Sequence, residues 1–402
     1  MAGYDVIVVG GGVSGASFAF QAARAGRRTL LLEREDRFGG CLHTAAGPDG
    51  FWFELGAHTC YNSYGALIEM LEGCGLMASL QPRAKPRLRF LEGDRVLPGQ
   101  NLGLLLRLMN KAELAVSLPR AFGAKQDGQT VRSYYSRIVG PGNYARVLGP
   151  MLSAVPSQTA DDLPADMLFK SRPRRKDVLR SFTLRGGLQR VCEAAVATPG
   201  VTAKRGAAAR SVERIAGGGF AVTLADGSRE EAGTLALATS PGEAASLLRG
   251  ALPEVAARLA RIREVSVDTL GVVVPAAKVA RIPSATFLIP RDDVFFSVVT
   301  RDAVPDPSHR AFTLHFRPGL SAQERLDRAT RLLGVGTRDL EAVAERRTIL
   351  PSPVLGHREI VRELDGLLEK TPLALSGNWF SGLSIEDCVQ RSRSEWGRVA
   401  RV

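Results

Sequence analysis

The first hydrophobic positions of the chain form short continuous runs and do not alternate with polar ones. Tyr4 to Val9 reads YDVIVV and is rich in β-branched residues, which is typical of a strand buried in a parallel sheet. Residues 10–15 are glycine-rich, residues 14–25 read as a helix of small side chains, and Thr29 to Leu32 form a second apolar run. The order of strand, glycine turn, helix and strand predicts a Rossmann-like α/β domain.

Later segments show other periods. Apolar residues recur at helical spacing between 64 and 75, and the stretch from Pro86 to Pro98 reads as a hairpin. Residues 101–123 read as an amphipathic helical stretch, which either faces the core or lies at a membrane surface or substrate entrance. Several β-like runs fall between 264 and 317, and 321–346 reads as a helix. These patterns predict a second part with an antiparallel sheet and helices.

The glycine turn has the spacing G-x-G-x-x-G. Gly10 allows a tight turn, Gly12 lets the backbone approach a pyrophosphate, and Gly15 lets the helix pack closely on the strand. The start of the helix, at Val13 and Ser14, offers unpaired N–H groups and a positive dipole end to phosphates. Glu33 ends the second strand, where a carboxylate can accept hydrogen bonds from ribose hydroxyls. We therefore predict dinucleotide binding.

The residues that follow identify the dinucleotide by resemblance. Glu33 to Gly40 reads EREDRFGG, which resembles the E-x-x-x-R-x-G-G segment of the flavin amine oxidase superfamily. The resemblance implies that Arg37 and the Gly39-Gly40 backbone lie along the pyrophosphate of FAD. Family members commonly carry Arg or Lys after the glycine pair, whereas this chain has Cys41, so that side-chain contact is lost.

Other segments extend the resemblance. Phe53 to His58 is similar to the family segment that brings backbone close to the isoalloxazine ring, and His58 is a candidate flavin- or substrate-facing residue or a satisfied core histidine. Thr44 and the GGL element at Gly186 also match, and Ala209 corresponds to the adenine contact. The full set of predicted cofactor contacts is Gly10, Gly12, Val13, Ser14, Gly15, Glu33, Arg34, Arg37, Gly39, Gly40, Cys41, Leu42, Gly56, Ala57, His58, Ala209, Gly377, Asn378, Ser384 and Ile385.

The C-terminal end resembles the protoporphyrinogen oxidase branch. That branch carries a Gly-His segment followed by G-N-x-x-x-G-V-x-x-x-D-C-I, and here the chain reads GNWFSGLSIEDCV from Gly377. The resemblance implies that Gly377-Asn378 contacts the pyrophosphate. It also implies that a helix beginning near Ser384 points its positive end at the flavin, which would stabilise the anionic reduced form. Because the branch has a structural cysteine at Cys388, we expect non-covalent FAD.

The predicted fold class is therefore α/β, with a Rossmann-like FAD-binding domain around a parallel sheet and a substrate domain of antiparallel sheet plus helices. The predicted boundaries are 1–75, 182–250 and 350–402 for the FAD-binding domain, 76–100 and 251–349 for the sheet of the substrate domain, and 101–181 for a helical subdomain.

Composition limits the classes of protein further. The 402 residues include 45% hydrophobic and 23% charged residues, as in a soluble globular enzyme. No apolar stretch is long enough to span a bilayer and no signal-peptide pattern is present, so we expect a cytoplasmic protein. The five cysteines form no C-x-x-C pair and the five histidines form no metal-ligand pattern, so we predict no metal.

The net charge of +12 has two interpretations, which are surface solubility or attraction to an acidic ligand or anionic membrane. No nucleic-acid module is evident. Six basic residues between Lys170 and Arg180 form either a solvated linker or an anchor for acidic groups. We predict a small-molecule substrate, possible peripheral membrane association and no nucleic-acid partner.

The predicted function is oxidation of a substrate C–H by FAD, with reoxidation by O₂, and no catalytic residue beyond the candidate His58 is assigned. The family's substrate-binding residues have no one-to-one match here. An amine or specialised-metabolite oxidase is the first alternative, and a UDP-galactopyranose mutase-like enzyme is the second. A binding protein of the GDP-dissociation-inhibitor type is the third, although the intact Glu33 argues against it.

Overall fold

The computed structural model describes residues 3–85, 87–99 and 101–402. Pro86, where the predicted hairpin starts, lies outside the described residues, as do residues 1, 2 and 100. The strands are β1 (Tyr4–Val9), β2 (Thr29–Leu32), β3 (Thr44–Ala46), β4 (Trp52–Glu54), β5 (Cys60–Tyr61), β6 (Leu80–Pro82), β7 (Leu88–Glu92), β8 (Arg95–Val96), β9 (Ser181–Leu184), β10 (Val201–Lys204), β11 (Ala209–Arg214), β12 (Phe220–Leu224), β13 (Arg229–Leu237), β14 (Glu264–Pro275), β15 (Phe287–Pro290), β16 (Phe295–Thr300), β17 (His309–Phe316), β18 (Ala342–Pro351) and β19 (Leu373–Leu375).

The helices lie between these strands and at the C-terminus. They are α1 (Val13–Arg24), α2 (Gly65–Gly73), α3 (Asn101–Leu108), α4 (Lys111–Ser117), α5 (Val131–Val139), α6 (Pro141–Asn143), α7 (Gly149–Ala154), α8 (Ala165–Leu168), α9 (Arg190–Val196), α10 (Pro241–Leu248), α11 (Pro253–Leu259), α12 (Ala322–Leu333), α13 (His357–Leu368) and α14 (Ile385–Val399).

The first large sheet has the strand order β10-β2-β1-β13-β12-β11, and β19 also pairs with β13. Strands β10, β2, β1, β13 and β19 are parallel, while β12 and β11 form an antiparallel extension. The strands β1 and β2 are almost wholly buried, because helices cover both faces of the sheet. Helices α1 and α14 pack on one face and α10, α11 and α13 on the other.

The second large sheet has the order β18-β14-β17-β16-β15-β7-β8. Its pairs are antiparallel except β15 with β7. Alternate residues of β14 and β17 face opposite sides: Leu270 and Leu314 pack on the side of α12, and Val273 and Ala311 pack against β4. Helices α3 to α8 form a separate layer whose core includes Phe90 and Ile289 of this sheet. The α/β fold class is thus confirmed.

One sequence prediction of an element was wrong. The helix expected over 321–346 ends at Leu333, and β18 begins at Ala342. Gly334 follows the helix in a left-handed conformation, with φ of 63°, which ends an α-helix because glycine adopts it without strain. Beyond it, every second residue of β18 is exposed, which is the two-residue period of a strand.

Two further observations concern the chain as a whole. The part of the chain that the structure describes contains no helix long and apolar enough to cross a membrane. The domain boundaries given above stay a prediction, although the two sheets and the helical layer fall in the corresponding parts of the chain.

Candidate cofactor site

Four parallel strands end at the same edge of the first sheet. Gly10 N, which follows β1, donates to Leu32 O of β2 at 2.8 Å, and Ala238 N after β13 donates to Val9 O at 2.8 Å. Ser376 N after β19 donates to Leu237 O at 3.0 Å. The ends of β1, β2, β13 and β19 therefore form one crevice, which is where open parallel sheets bind ligands.

The glycines of the first turn meet distinct steric demands. Gly10 has φ of 105°, and a Cβ atom there would lie 2.7 Å from Ala238 O. A Cβ on Gly15 would lie 1.9 Å from Gly10 O, so this position needs glycine for helix packing. A Cβ on Gly12 would meet nothing closer than Gly40 Cα at 3.5 Å. Fold packing alone therefore does not require glycine at position 12, whereas a close ligand would.

The N-terminus of α1 has the features of a phosphate site. Its N-cap, Gly12, has no side chain to cap the helix, and the first turn contains no acidic residue. The first N–H groups of a helix have no partner within the helix, and α1 begins at Val13, directly after the glycine turn. The part of the chain that is described thus fits a bound dinucleotide at this place.

Glu33 is buried beside the glycine turn. Its Oε2 accepts a hydrogen bond from Gly11 N at 2.6 Å, and its Oε1 accepts one from Glu35 N at 2.8 Å. Ala207 N donates to Glu33 O at 2.8 Å, and this brings the start of β11, with Ala209, to the same end of the crevice. Hydrogen bonding of Glu33 to a ribose stays a prediction.

The second glycine pair lies directly against the first turn. Gly39 N donates to Gly11 O at 2.9 Å, and Gly39 and Gly40 both have positive φ, at 132° and 55°. The Arg37 guanidinium donates to Gly40 O at 3.1 Å and pairs with Glu35 at 2.9 Å. Arg37 is therefore held within the loop.

The neighbours of this pair differ in exposure. Leu42 is buried in the core, whereas Cys41 is exposed at its surface. Protein atoms surround the Cys41 thiol closely enough that desolvation raises its pKa, although the residue is open to solvent. The Arg34 side chain lies on the surface and contacts Glu243 at 3.4 Å. The Leu42 side chain therefore packs in the core, and contacts of Arg34 and Cys41 with a cofactor stay predictions.

The segment Gly56-Ala57-His58 lies beside the glycine pair. Ala57 N donates to Cys41 O at 3.1 Å, and a Cβ on Gly56 would lie 2.1 Å from the same oxygen. His58 Nδ1 lies 3.2 Å from Gly56 O, and its ring packs against Phe287 with centroids 5.3 Å apart. Burial lowers the pKa of His58 to about 3. The imidazole is thus neutral and is not tuned for acid–base catalysis near pH 7.

The C-terminal element contains a buried, unpaired donor beside Gly377. A Cβ on Gly377 would lie 2.3 Å from Nε1 of Trp379, and this indole N–H is buried without an acceptor among the described residues. The Trp379 ring stacks on Phe380 at 3.8 Å, and Arg391 lies 3.7 Å from the Phe380 ring centroid. Such an orphaned donor beside Gly377-Asn378 fits a site that binds an anionic group.

The helix α14 begins at the same crevice. Ser384 and Asp387 form a capping box, in which each accepts a hydrogen bond from the backbone N–H of the other, and Ile385 is buried. Asp387 Oδ1 also accepts from Lys170 Nζ and from Arg172, both at 2.8 Å. Part of the basic segment thus forms an ion pair at the start of α14, which sequence reasoning did not anticipate.

A row of polar residues crosses the face of the second sheet. Arg346, Thr269, His315 and Ser297 are cross-strand partners in turn on β18, β14, β17 and β16. These residues lie on the same face of the sheet as Gly271, which packs against β4. The row therefore faces the side of the sheet on which β4 lies. His315 Nδ1 lies 3.1 Å from Thr269 Oγ1, and Ser297 Oγ is buried without a partner in the described chain. Burial lowers the pKa of His315 to about 4.

A small cleft beside His58 contains two guanidinium groups. It is lined by Glu54, His58, Arg83 and Arg301, among others. Arg83 donates to Thr59 Oγ1, and Arg301 lies 4.5 Å from the Trp52 ring centroid. Among the described residues neither guanidinium forms a salt bridge with a carboxylate, and burial lowers the pKa of both. Burial also raises the pKa of Glu54 to about 7.

Sequence reasoning missed the polar row and this cleft. Both consist of residues that are distant in the chain, and neither forms a motif. The described residues contain no group of three or more His, Cys, Asp or Glu side chains that could hold a metal ion.

Comparison with known proteins agrees with the geometry of the crevice. The family profile described as "Flavin containing amine oxidoreductase" matches residues 13–283. The chain belongs to this family. The α/β fold and the enzyme class of a flavin-dependent oxidoreductase, both expected from the sequence, are thereby confirmed.

Whole-length relatives narrow the similarity within the family. The chain is 25% identical to protoporphyrinogen oxidase of Bos taurus over 99% of this chain and 98% of the relative. It is 23% identical to coproporphyrinogen III oxidase of Propionibacterium freudenreichii subsp. freudenreichii, over 96% of this chain and 89% of the relative. The predicted resemblance to the protoporphyrinogen oxidase branch is confirmed.

Solved structures share the fold. A protein from Exiguobacterium sp. 255-15, with a provisional assignment as a protoporphyrinogen oxidase, superposes with a TM-score of 0.78 at 18% identity, covering 99% of this chain and 98% of that one. At this identity the likeness shows the fold alone.

Proposed function

We propose that this protein binds FAD non-covalently and oxidises a porphyrinogen, a reduced cyclic tetrapyrrole with carboxylate side chains. The full-length similarity to two porphyrinogen oxidases supports the substrate class. Lack of covalent attachment is supported by Cys388, which is buried in α14 and whose thiol lies against Ser14. When bound, FAD would supply the hydride acceptor, and O₂ would be the final electron acceptor.

The residues that would hold FAD line the crevice described above. The backbone of the glycine turn and the N-terminus of α1 are suited to the diphosphate, and Glu33 to a ribose. The start of α14, at Ser384, places a positive helix end on the same side. Gly56-Ala57 and the polar row on the second sheet enclose the part of the crevice nearest to His58.

The cleft that contains Arg83 and Arg301 is the main structural support for an acidic substrate. Each guanidinium is partly buried and has no carboxylate partner among the described residues. A guanidinium forms strong charge-assisted hydrogen bonds with a carboxylate, so a propionate at this cleft could accept hydrogen bonds from both. His58 lines the cleft, and Thr59 accepts a hydrogen bond from Arg83.

The same cleft disfavours an amine substrate, because a protonated amine would meet two positive charges there. A sugar-nucleotide substrate is compatible with these two positive charges, because its diphosphate is anionic. The mutase-like alternative is therefore kept as an outcome of the test.

The test uses oxidised, flavin-loaded protein under anaerobic conditions. Protoporphyrinogen, coproporphyrinogen, a primary amine and UDP-galactopyranose are added separately, and the visible absorption of the flavin is recorded. We expect a porphyrinogen to bleach the flavin and the amine to leave it unchanged. Bleaching by the amine alone would contradict the proposed substrate class. Sugar ring contraction that requires prior flavin reduction would replace the proposal by a mutase.

Variants test the role of the cleft. We expect Arg83→Gln and Arg301→Gln each to raise KM for a porphyrinogen by about 10-fold or more, because a hydrogen bond to a charged group contributes roughly 1.5–3 kcal/mol. The control is Arg229→Gln, since Arg229 lies on the surface at the start of β13 and pairs with Glu213 and Glu231. Unchanged KM in both cleft variants would rule out the cleft as the carboxylate site.

A further inference from the structure

The family resemblance predicts a cationic side chain at position 41 of the crevice, and this chain has none there. Cys41 follows the second glycine pair in place of Arg or Lys, and a thiol carries no positive charge in either protonation state. Arg34 is exposed and contacts Glu243, whereas Arg37 is held beside the glycine pair by Gly40 O and Glu35. Arg37 therefore brings positive charge to the glycine segments, and position 41 adds none.

A guanidinium from the second sheet reaches this position. Arg346 Nη1 donates to Gly40 O at 2.7 Å, and Arg346 Nη2 lies 3.2 Å from Glu35 Oε1. The Arg346 side chain is only 14% exposed. Gly40 itself lies next to Gly12, since a Cβ on Gly12 would be 3.5 Å from Gly40 Cα. The charge of Arg346 is thus placed beside the two glycine segments that form the crevice.

His43 does not compete with this charge. Its Nδ1 lies 3.2 Å from Arg346 Nη1, and burial together with the charge of Arg37 lowers its pKa to about 4. The imidazole is therefore neutral, and Nδ1 accepts a hydrogen bond from the guanidinium. Glu35 is shared between Arg37 and Arg346, so the local cluster of two guanidiniums and one carboxylate has a net positive charge.

We propose that Arg346 supplies the cation that position 41 lacks and that its charge stabilises the diphosphate of bound FAD. The inference rests on the proposed FAD cofactor and concerns its binding, not the choice of substrate. The competing explanation is that Arg346 only ties the second sheet to the loop at Gly40. The two explanations differ in what they predict for FAD affinity.

The experiment measures the dissociation constant of FAD with flavin-free protein, by fluorescence titration. We expect Arg346→Gln to weaken FAD binding by about 10-fold or more, and Arg346→Lys to weaken it less, because one charge-assisted contact to a phosphate is removed or retained as a point charge. The control is Arg347→Gln, since Arg347 is the next residue on β18, faces the other side of the strand and is 67% exposed. Its FAD affinity should stay close to that of the wild type.

The decisive variant combines Cys41→Arg with Arg346→Gln. Restoring a guanidinium at position 41 should recover most of the lost affinity, and raising the salt concentration should reduce the wild-type affinity more than that of Arg346→Gln. Thermal unfolding of the flavin-free variants separates this role from a structural one.

Specific results would overturn the inference. An Arg346→Gln variant that unfolds more easily but binds FAD with wild-type affinity would show a structural tie only. A double variant that binds FAD no better than Arg346→Gln would overturn the compensation for Cys41. A wild-type chain that binds no FAD would overturn the proposed cofactor and this inference with it.

Discussion

Replacing Asp387 by Asn is the sharpest test of how the start of α14 is held. Asp387 is buried, and its carboxylate accepts hydrogen bonds from Lys170, Arg172 and Ser384. The side chains of Lys170 and Arg172 are 25% and 15% exposed. Asparagine has nearly the same shape, but it would leave two partly buried cations without their counter-ion.

The magnitude follows from this geometry. Breaking a buried ion pair by removing one partner costs about 3–5 kcal/mol of unfolding free energy. Because the two cations are partly exposed, we expect Asp387→Asn to lose about 3 kcal/mol, at the lower end of this range. Burial alone would raise the pKa of Asp387, but hydrogen bonds from Lys170 and Ser384 and the charge of Arg172 outweigh it and lower the pKa.

The sign of the pH dependence follows from that lowered pKa. A carboxylate with a depressed pKa in the folded state stabilises the fold above its unfolded-state pKa, about 3.9, and this contribution is lost as the pH falls through the folded-state value. The difference in unfolding free energy between wild type and Asp387→Asn should therefore stay constant at neutral pH and shrink in acid.

The assay is urea-induced unfolding followed by tryptophan fluorescence over a range of pH. The matched control is Asp177→Asn, because Asp177 pairs with Arg175 of the same basic segment but is 62% exposed. The control should unfold like the wild type. The reasoning would be refuted if Asp387→Asn lost no more unfolding free energy than the control, or if its loss of unfolding free energy did not shrink in acid.

Three further predictions concern the crevice. Gly12→Ala should leave the unfolding free energy nearly unchanged but weaken FAD binding. Gly15→Ala should itself destabilise the fold by about 1–3 kcal/mol, because its Cβ would overlap Gly10 O. If the two variants changed the unfolding free energy and the FAD affinity by equal amounts, this distinction would be wrong. Trp379→Phe removes a buried indole N–H that has no acceptor in the described chain, so it should lower FAD affinity without lowering the stability of the flavin-free protein; unchanged affinity would show that the N–H does not contact the cofactor. Burial raises the pKa of Glu54 to about 7 from 4.5, so the unfolding free energy of the wild type relative to that of Glu54→Gln should fall as the pH rises through this window. A difference that stays constant with pH in urea unfolding would contradict the burial of this carboxyl group.

The parts of the site that follow from the sequence are those encoded by adjacent residues. The glycine turn, the start of α1 and Glu33 lie within a single β-strand, helix and β-strand unit, so their mutual position depends on local geometry. The capping box of Ser384 and Asp387 spans three residues and is also local. Such features were predictable from short-range spacing alone.

The rest depends on which strands pair. Thr269, His315 and Ser297 become neighbours only because β14, β17 and β16 are adjacent, with a register that places all three on one face. Periodicity gives the two faces of each strand but not its partner or register. Likewise, the basic segment could be interpreted as a linker or an anchor until Lys170 was seen to contact Asp387, which is 217 residues away.

The helix expected over 321–346 shows a different limit. The sequence pattern continues through Arg346, but Gly334 ends α12 and the chain then enters β18. This error affects the site directly, because Arg346 could reach Gly40 only from a strand at the edge of the second sheet. The proposed role of Arg346 could therefore be inferred only once residues 342–351 were known to form a strand.

Anaerobic mixing of the flavin-loaded protein with a porphyrinogen tests the central claim most directly. We expect protoporphyrinogen or coproporphyrinogen to bleach the visible flavin band in a single reduction. The band should return when O₂ is admitted, and Arg83→Gln should require more substrate for the same bleaching. A protein that takes up FAD but is reduced by neither porphyrinogen would contradict the proposed function.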